Sequence, residues 1–460
     1  MKLEQIKSIV LFLLVSFSLL ITLALWTYQP QFEELEPPDY LEQTKLNGVE
    51  KTLKELIYPE KVIFHNYNEH KQLTEKSDEI SFYKEMLEWD FSTINPYLTS
   101  NENVINRYIN WEEPLGWVHD NRTQTVEIKF PVDIPIDLIH QMFSIDSEGT
   151  TWGNQTFNKL FYHLSQSDQE VEVIFSSDQH SEVLMGKIQS SQTYQRIAGL
   201  LNSERLMVHM QRYNFGQHAI YLPNKEINMP NHALLTDSLS IETMKNVLFK
   251  NPSLVEQTLL DQNTYYTDGT RALSTEPVLR NDEYLEFVNP LSNENGYSST
   301  EDIIANSIQF TNDHTGWTDD YKIDDIRDTM SMIKYRMYYD GYPIFDSNID
   351  PSLTEMEQHW RSNGLYQLKR PLFKTSNTHF SSEEEYKTLP SGEMVFETLQ
   401  RLNERISLEL IEEVQLGYKL EIRSDISNVL ILEPEWHIKY RNSWRPLSYF
   451  TDMLMNQGVE

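Results

Sequence analysis

From Ser8 to Phe32 the chain carries no charged residue, and Ile9 to Trp26 is almost wholly apolar, so the first predicted element is a membrane helix. At about 1.5 Å per residue, a run of this length crosses a hydrocarbon core about 30 Å thick. Trp26 and Tyr28 sit at its far end, where aromatic rings favour the headgroup level. Lys2 and Lys7 precede it, and Glu33, Glu34, Glu36 and Asp39 follow. The positive-inside rule therefore puts the N-terminus in the cytoplasm and the remaining chain outside. A cleaved signal peptide is the competing reading, with Thr22-Leu23-Ala24 as a small-x-small site. Bulky Leu25 and Trp26 follow that site, and the apolar run exceeds a usual signal core, so an uncleaved anchor is expected.

Within this helix Ser8, Leu11, Val15, Ser18, Thr22 and Leu25 recur at alternating spacings of three and four, and so share one face. Small hydroxylic residues on one face let helices approach closely and hydrogen-bond in lipid. The same residues can also bond their own backbone, and the spacing alone does not separate the two. Leu11, Val15, Ser18, Thr22 and Leu25 are the candidate partner-binding residues.

Beyond the helix, Gln29 to Asp39, with Pro30, Pro37 and Pro38, reads as a short stiff linker. Helical punctuation dominates to about Leu98, interrupted by a strand at Lys61–Tyr67. Thr125–Phe130 alternates and is closed by Pro131, Pro135–Phe143 has helical spacing, and Glu170–Phe175 and Leu206–Tyr213 are further strands. Next, Ser240–Phe249 is a serine-capped amphipathic helix. It leads into Leu254–Leu260, Thr264–Thr267, a turn at Asp268-Gly269 and the strand Tyr284–Val288. Later, Ser391–Arg401 is again a serine-opened helix, followed by Leu408–Val414, a turn near Gly417, and strands at Tyr418–Ile422 and Val429–Leu432. Capped helix and then meander occurs twice, so a degenerate repeat is expected. Between the copies, Tyr335–Tyr339 is a strand and Asp340-Gly341-Tyr342-Pro343 a turn.

These elements predict an α+β chain: residues 1–7 cytoplasmic, 8–29 the transmembrane helix, 30–39 a linker, then outer domains at 40–215, 216–320 and 321–460. Composition narrows the partners. The 70 acidic and 38 basic residues give a net charge of −32, which repels phosphate backbones and disfavours polybasic attachment to anionic lipid. No nucleic-acid partner is expected. The chain has no cysteine, which removes disulfides, thiolate metal sites, a cysteine nucleophile and an acylated lipoprotein cysteine.

The sequence contains no phosphate-binding glycine loop, nucleophile elbow or paired-histidine zinc helix. His65 and His70 lie on a strand-to-loop segment with no obvious third ligand, so no zinc site is assigned. Asp346, Asn348, Asp350 and Glu357 match positions 1, 3, 5 and 12 of an EF-hand loop. Pro351 occupies the glycine position, and a solvated acidic turn with a proline-started helix is expected instead. Asp319, Asp320, Asp324, Asp325 and Asp328 read as a surface helix start. The 25 tyrosines and 9 tryptophans fall mostly in strand-like segments and are expected to fill cores. No catalytic, cofactor-binding or metal-ligating residue is assigned.

Several runs together resemble the YycH family, membrane-anchored regulators of the WalK (YycG) sensor histidine kinase in low-GC Gram-positive bacteria. They are Leu25-Trp26-Thr27-Tyr28-Gln29-Pro30, Phe130-Pro131 with Ile134-Pro135, Ile220-Tyr221-Leu222-Pro223, Leu248-Phe249 with Asn251-Pro252-Ser253, Asp268-Gly269-Thr270-Arg271 and Val288-Asn289-Pro290. The C-terminal third adds His314-Thr315-Gly316-Trp317-Thr318, Gly341-Tyr342-Pro343, Arg370-Pro371-Leu372, Leu389-Pro390-Ser391-Gly392, Leu416-Gly417-Tyr418 and Glu433-Pro434-Glu435-Trp436. Each run is weak alone, and their order across nearly the whole chain makes the match specific. The resemblance implies three extracytoplasmic domains, the last two of shared topology, and no catalytic residues. It also implies a membrane complex with WalK and the related anchored protein YycI, formed largely through transmembrane helices and serving cell-wall homeostasis. A homo-oligomer is compatible with this. The alternative from another class is an anchored binding protein for a cell-wall carbohydrate or peptide, independent of any kinase. An anchored hydrolase would need a cleft with a carboxylate pair.

Overall fold

A computed structural model describes residues 14–19, 44–91, 93–96, 123–145, 155–166, 169–177, 183–216, 218–278, 283–290, 298–346, 351–376, 385–422 and 428–455. The chain forms two compact units, residues 1–43 and 44–460. Of the first, only 14–19 are described, and they are helical.

In the second unit nine strands form one antiparallel sheet. Its strand order is His218–Pro223, Met207–Phe215, Glu69–Leu73, Lys61–Asn66, Gln124–Pro135, Thr156–Ser165, Glu170–Ser176, Leu184–Ile188, Thr93–Pro96. Register sets Phe64 opposite Lys71 and Val126, and Val126 opposite Tyr162, so Phe64, Val126, Tyr162 and Val173 line one buried face. Helices Lys76–Leu87 and Ser191–Leu201 pack against the sheet. Each such side chain, taken from water, contributes about 1.5–3 kcal/mol. The other face carries Ile63, His65, Glu127 and Met210.

The larger sheet has fourteen strands. Its path begins at Glu256–Leu260 and passes through Asn263–Thr267, Ala272–Pro277, Glu283–Val288, Gly364–Pro371 and Glu355–Arg361 to Met332–Tyr339. Tyr342–Phe345 then carries it on to Ile411–Ile422, Val429–Tyr440, His232–Ser238 and Phe373–Ser376. Tyr342–Phe345 pairs antiparallel with Met332–Tyr339 and parallel with Ile411–Ile422, so this short strand joins the two halves. Both expected copies of helix then meander are present: Ser240 and Ser391 accept hydrogen bonds from Thr243 N and Met394 N. Each helix is followed by a 3-10 turn, Pro252–Leu254 or Leu408–Leu410, and then antiparallel strands. Ser190 and Ser299 cap two further helices, Ser191–Leu201 and Thr300–Asp313, that also lead into meanders.

Local reading failed at identifiable places. Glu69–Leu73 is a strand without apolar alternation, placed by pairing with neighbours on both sides. Gln124–Pro135 continues past Pro131, because the register shifts between Lys129 and Ile134 and relieves the ladder there. Gly417 lies inside Ile411–Ile422 rather than at a turn. A Cβ on it would sit 2.7 Å from Phe345 Cε2 and from Pro343 O, so glycine there permits close backbone approach to the bridging strand. The acidic cluster expected at a helix start falls largely on the strand Asp320–Arg327, where Tyr321 and Ile323 alternate inward.

Candidate functional site

The predicted partner-binding stripe is only partly described. Val15 and Ser18 lie on the helical residues 14–19 and are exposed, while Leu11, Thr22 and Leu25 lie outside the described residues. Leu14, Val15, Phe17 and Leu19 are 62, 50, 64 and 66% exposed. Among the described residues no helix is long and apolar enough to cross a membrane.

In the second unit, charge is concentrated where the two sheets meet. Glu413 on Ile411–Ile422 reaches Lys61 and Lys129, on two neighbouring strands of the nine-stranded sheet. Its side chain is 4% exposed, and Lys61 also donates to Val414 O at 3.0 Å. Burial alone would raise the Glu413 carboxyl, but Lys129 and Lys61 override it and hold the group down at about 2. Glu60, 3.3 Å from Lys129, is instead held above its ordinary value by burial. Nearby Arg336, buried on Met332–Tyr339, binds Asp324 through two nitrogens at 2.9 and 2.8 Å and Glu355 at 2.6 Å. Its guanidinium lies 4.6 Å from the Phe345 ring centroid, and Phe345 stacks on the buried His437. These contacts clamp the bridging strand and the sheet junction.

Two clefts flank this junction. One, of about 620 Å³, is lined by aromatic faces of Tyr58, Tyr221, Tyr342, Tyr418 and Trp436 together with Gln415. The other, of about 900 Å³, is lined by Lys51, Lys322, Tyr83, Tyr338 and Asp320. They share Tyr58, Ile80, Tyr338, Asp340 and Gly341. The turn between the clefts has φ 48° at Asp340 and 79° at Gly341, and a Cβ on Gly341 would lie 2.8 Å from Ile80 Cδ1 and from Lys76 Cγ. Tyr58 Oη and Gln415 Oε1 are buried without a hydrogen-bond partner among the described residues.

The two near-miss metal loci resolve differently. His65 Nδ1 and His70 Nδ1 are 2.8 Å apart, one donating and one accepting, and His65 Nε2 is 3.0 Å from Glu127 Oε2. Tyr221 packs its ring against both imidazoles. Sequence spacing missed this cluster because Glu127 arrives from a distant strand. Asp346 is buried and its carboxylate accepts from Ser352 Oγ, Leu353 N and Thr354 N, so it ties a loop to itself. The expected helix after Pro351 is absent: Glu355–Arg361 is a strand. Among the described residues no three histidine, aspartate or glutamate side chains converge as metal ligands.

The segment Leu46 to Val49 runs along His314 to Trp317, with Gly48 N donating to Thr315 O and Val49 N to Trp317 O. Trp317 is buried, donates to Asn312 Oδ1 at 2.7 Å and meets Tyr335 edge to face. Buried Arg370 donates to Gly316 O and Thr318 Oγ1. The runs at 314–318, 341–343, 370–372 and 416–418 are thus packing devices in the second unit.

Comparison with known proteins gives the same answer from end to end. Residues 4–205 match the YycH protein N-terminal domain, and residues 217–453 match the YycH protein C-terminal domain. Over 479 aligned positions the chain is 24% identical to the two-component system WalR/WalK regulatory protein YycH of Bacillus subtilis (strain 168), covering 100% of this chain and 99% of that protein. The crystal structure of YycH from Bacillus subtilis superposes with a TM-score of 0.69 at 19% identity, over 88% of this chain and 99% of that one. The likeness of fold is mixed α/β throughout. With both of the family's domains matched along its length, this chain belongs to the YycH family.

Proposed function

We propose that this protein is a non-enzymatic regulator of a WalK-type sensor histidine kinase, anchored by residues 8–29 with its three outer domains outside the cell. The observation that carries the reading is the end-to-end match to a protein named for WalR/WalK regulation. The uncharged run from Ser8 to Phe32 supports the anchor, and so does the exposure of apolar side chains on several sides of residues 14–19. A helix that is hydrophobic all round needs lipid or protein to cover it. In this reading the helix face bearing Leu11, Val15, Ser18, Thr22 and Leu25 meets the membrane helices of the kinase and of a YycI-like partner.

In lipid there is little hydrophobic gain from helix association, so close packing and interhelical hydrogen bonds hold the pair. Replacing both Ser18 and Thr22 with leucine is expected to weaken association by about 1–4 kcal/mol, at roughly 0.6–2 kcal/mol per hydroxyl. Insertion should survive, since leucine is at least as apolar. Phe12→Leu with Leu20→Ala, both off the stripe, should have much less effect. A bacterial two-hybrid assay between membrane helices reads this directly, and equal association of stripe and control variants would remove the assignment.

The aromatic-lined cleft of about 620 Å³, with Gln415 Oε1 unpaired at its wall, favours a second reading in which the outer region binds a cell-wall carbohydrate or peptide. Recovery of a kinase with the protein separates the two.

A further inference from the structure

The fourteen-stranded sheet begins at Glu256–Leu260, whose hydrogen-bonded neighbour is Asn263–Thr267 on one side. All five residues of this edge strand are exposed. Leu254, Leu259 and Leu260 are 61, 69 and 60% exposed, and Tyr265 on the adjacent strand is 40% exposed. Edge strands usually carry a device against further pairing, such as a proline, a lysine or a bulge. Glu256–Leu260 has no proline or lysine, and its register from Glu256↔Thr267 to Leu260↔Asn263 is unbroken. From Asn251 to Thr267 the charged residues are Glu256 and Asp261 alone, in a chain of net charge −32. Repulsion between copies is therefore low along this strip.

The order of side chains adds a second, independent observation. Leu254-Val255-Glu256-Gln257-Thr258-Leu259-Leu260 reads apolar, apolar, three polar, apolar, apolar, and so is the same in both directions. Val255 is extended (φ −76°, ψ 119°) and continues the strand backwards. Antiparallel pairing of two copies about an axis at Gln257 sets Val255 opposite Leu259 and Glu256 opposite Thr258, while Leu254 closes the 3-10 turn and lies beyond the pair. Exposed Leu259 then meets Val255 on its own face, where cross-strand pairs stabilise a sheet. The two Glu256 carboxylates fall on a diagonal, about 7–8 Å apart and open to screening by salt.

We propose that Glu256–Leu260 is a self-pairing edge that joins two copies of this chain through an isologous antiparallel strand pair, making one continuous sheet across the dimer. A strand pair of this length buries less than about 1,200 Å², so the association is reversible and concentration-dependent.

The chain has no cysteine, so single-cysteine variants of the full-length protein in membranes report the contact cleanly. At a two-fold axis the paired Cα atoms lie about 4.5–5.5 Å apart, within reach of a disulfide. Gln257→Cys should oxidise to a covalent dimer at least about tenfold faster than Ser81→Cys, an exposed helix position, because pairing makes the encounter intramolecular. Adding Leu259→Lys to Gln257→Cys should return the rate to the Ser81→Cys level, and Leu259 is exposed enough for that variant to fold. Equal rates for Gln257→Cys and Ser81→Cys would overturn the proposal. A mixed adduct between this position and a different protein would overturn it too, by naming another occupant.

Discussion

Replacing Glu413 with alanine is expected to cost the second unit about 3–5 kcal/mol. The carboxylate is nearly buried between Lys61 and Lys129, and its removal takes their shared anion away from two cations at a sheet junction, with Glu60 beside Lys129. Glu60 is a poor substitute, since burial holds its carboxyl above the ordinary value. Equilibrium denaturation of the variant against the parent measures the cost. A loss under about 1 kcal/mol would mean that the junction is held by packing rather than by this charge pair. The change Lys61→Met, Lys129→Met, Glu413→Leu with Glu60→Gln is expected to recover much of the loss, because removing all four charges together leaves none of them buried without its partner. The acid limb has a defined sign. The folded-state value of about 2 lies below the ordinary 4.5, so this group's contribution is complete above pH 4.5. It is lost as pH falls from about 4.5 through about 2, and Glu413→Ala should flatten that limb.

The second large effect is on function. A secreted fragment of residues 33–460 is expected to fold with the stability of the full chain, yet to leave kinase output in a deletion strain where deletion left it. The first half of this follows from the core, whose buried cluster begins at Leu46 and draws on no described residue before it. The second half follows if regulation passes through helix contacts, since a freely diffusing domain loses both the contacts and the confinement that raises effective concentration. Thermal melting and a kinase-dependent reporter read the two halves separately. Full rescue by the fragment would show that the outer surface suffices.

Much of the fold was legible because alternation and capping are local. Ser240 and Ser391 announce their helices, Thr125–Phe130 alternates within the strand Gln124–Pro135, and Asp340-Gly341 marks a true left-handed turn. Pairing between distant segments was not legible. Glu69–Leu73 and Asp320–Arg327 are strands because their neighbours make them so, and Gly417 reads locally as a turn although its reason is Phe345, far earlier in the chain. The same limit applies to the sites. His65 and His70 are close in sequence, but the carboxylate that joins them, Glu127, comes from another strand. Glu413 gives no local hint of the lysines it meets. The helix stripe was legible as a pattern, since spacings of three and four suffice to place Leu11, Val15, Ser18, Thr22 and Leu25 on one face.

The most direct measurement is recovery of a sensor histidine kinase from solubilised membranes with the full-length protein as bait. A parallel bait would replace residues 8–29 with an unrelated apolar span of equal length. Regulation through the helix predicts that the kinase is recovered with the native helix and falls to background with the substituted one, while both baits insert and fold alike. Equal recovery with both baits would contradict the helix as the contact, and no kinase with either would contradict the regulatory assignment itself.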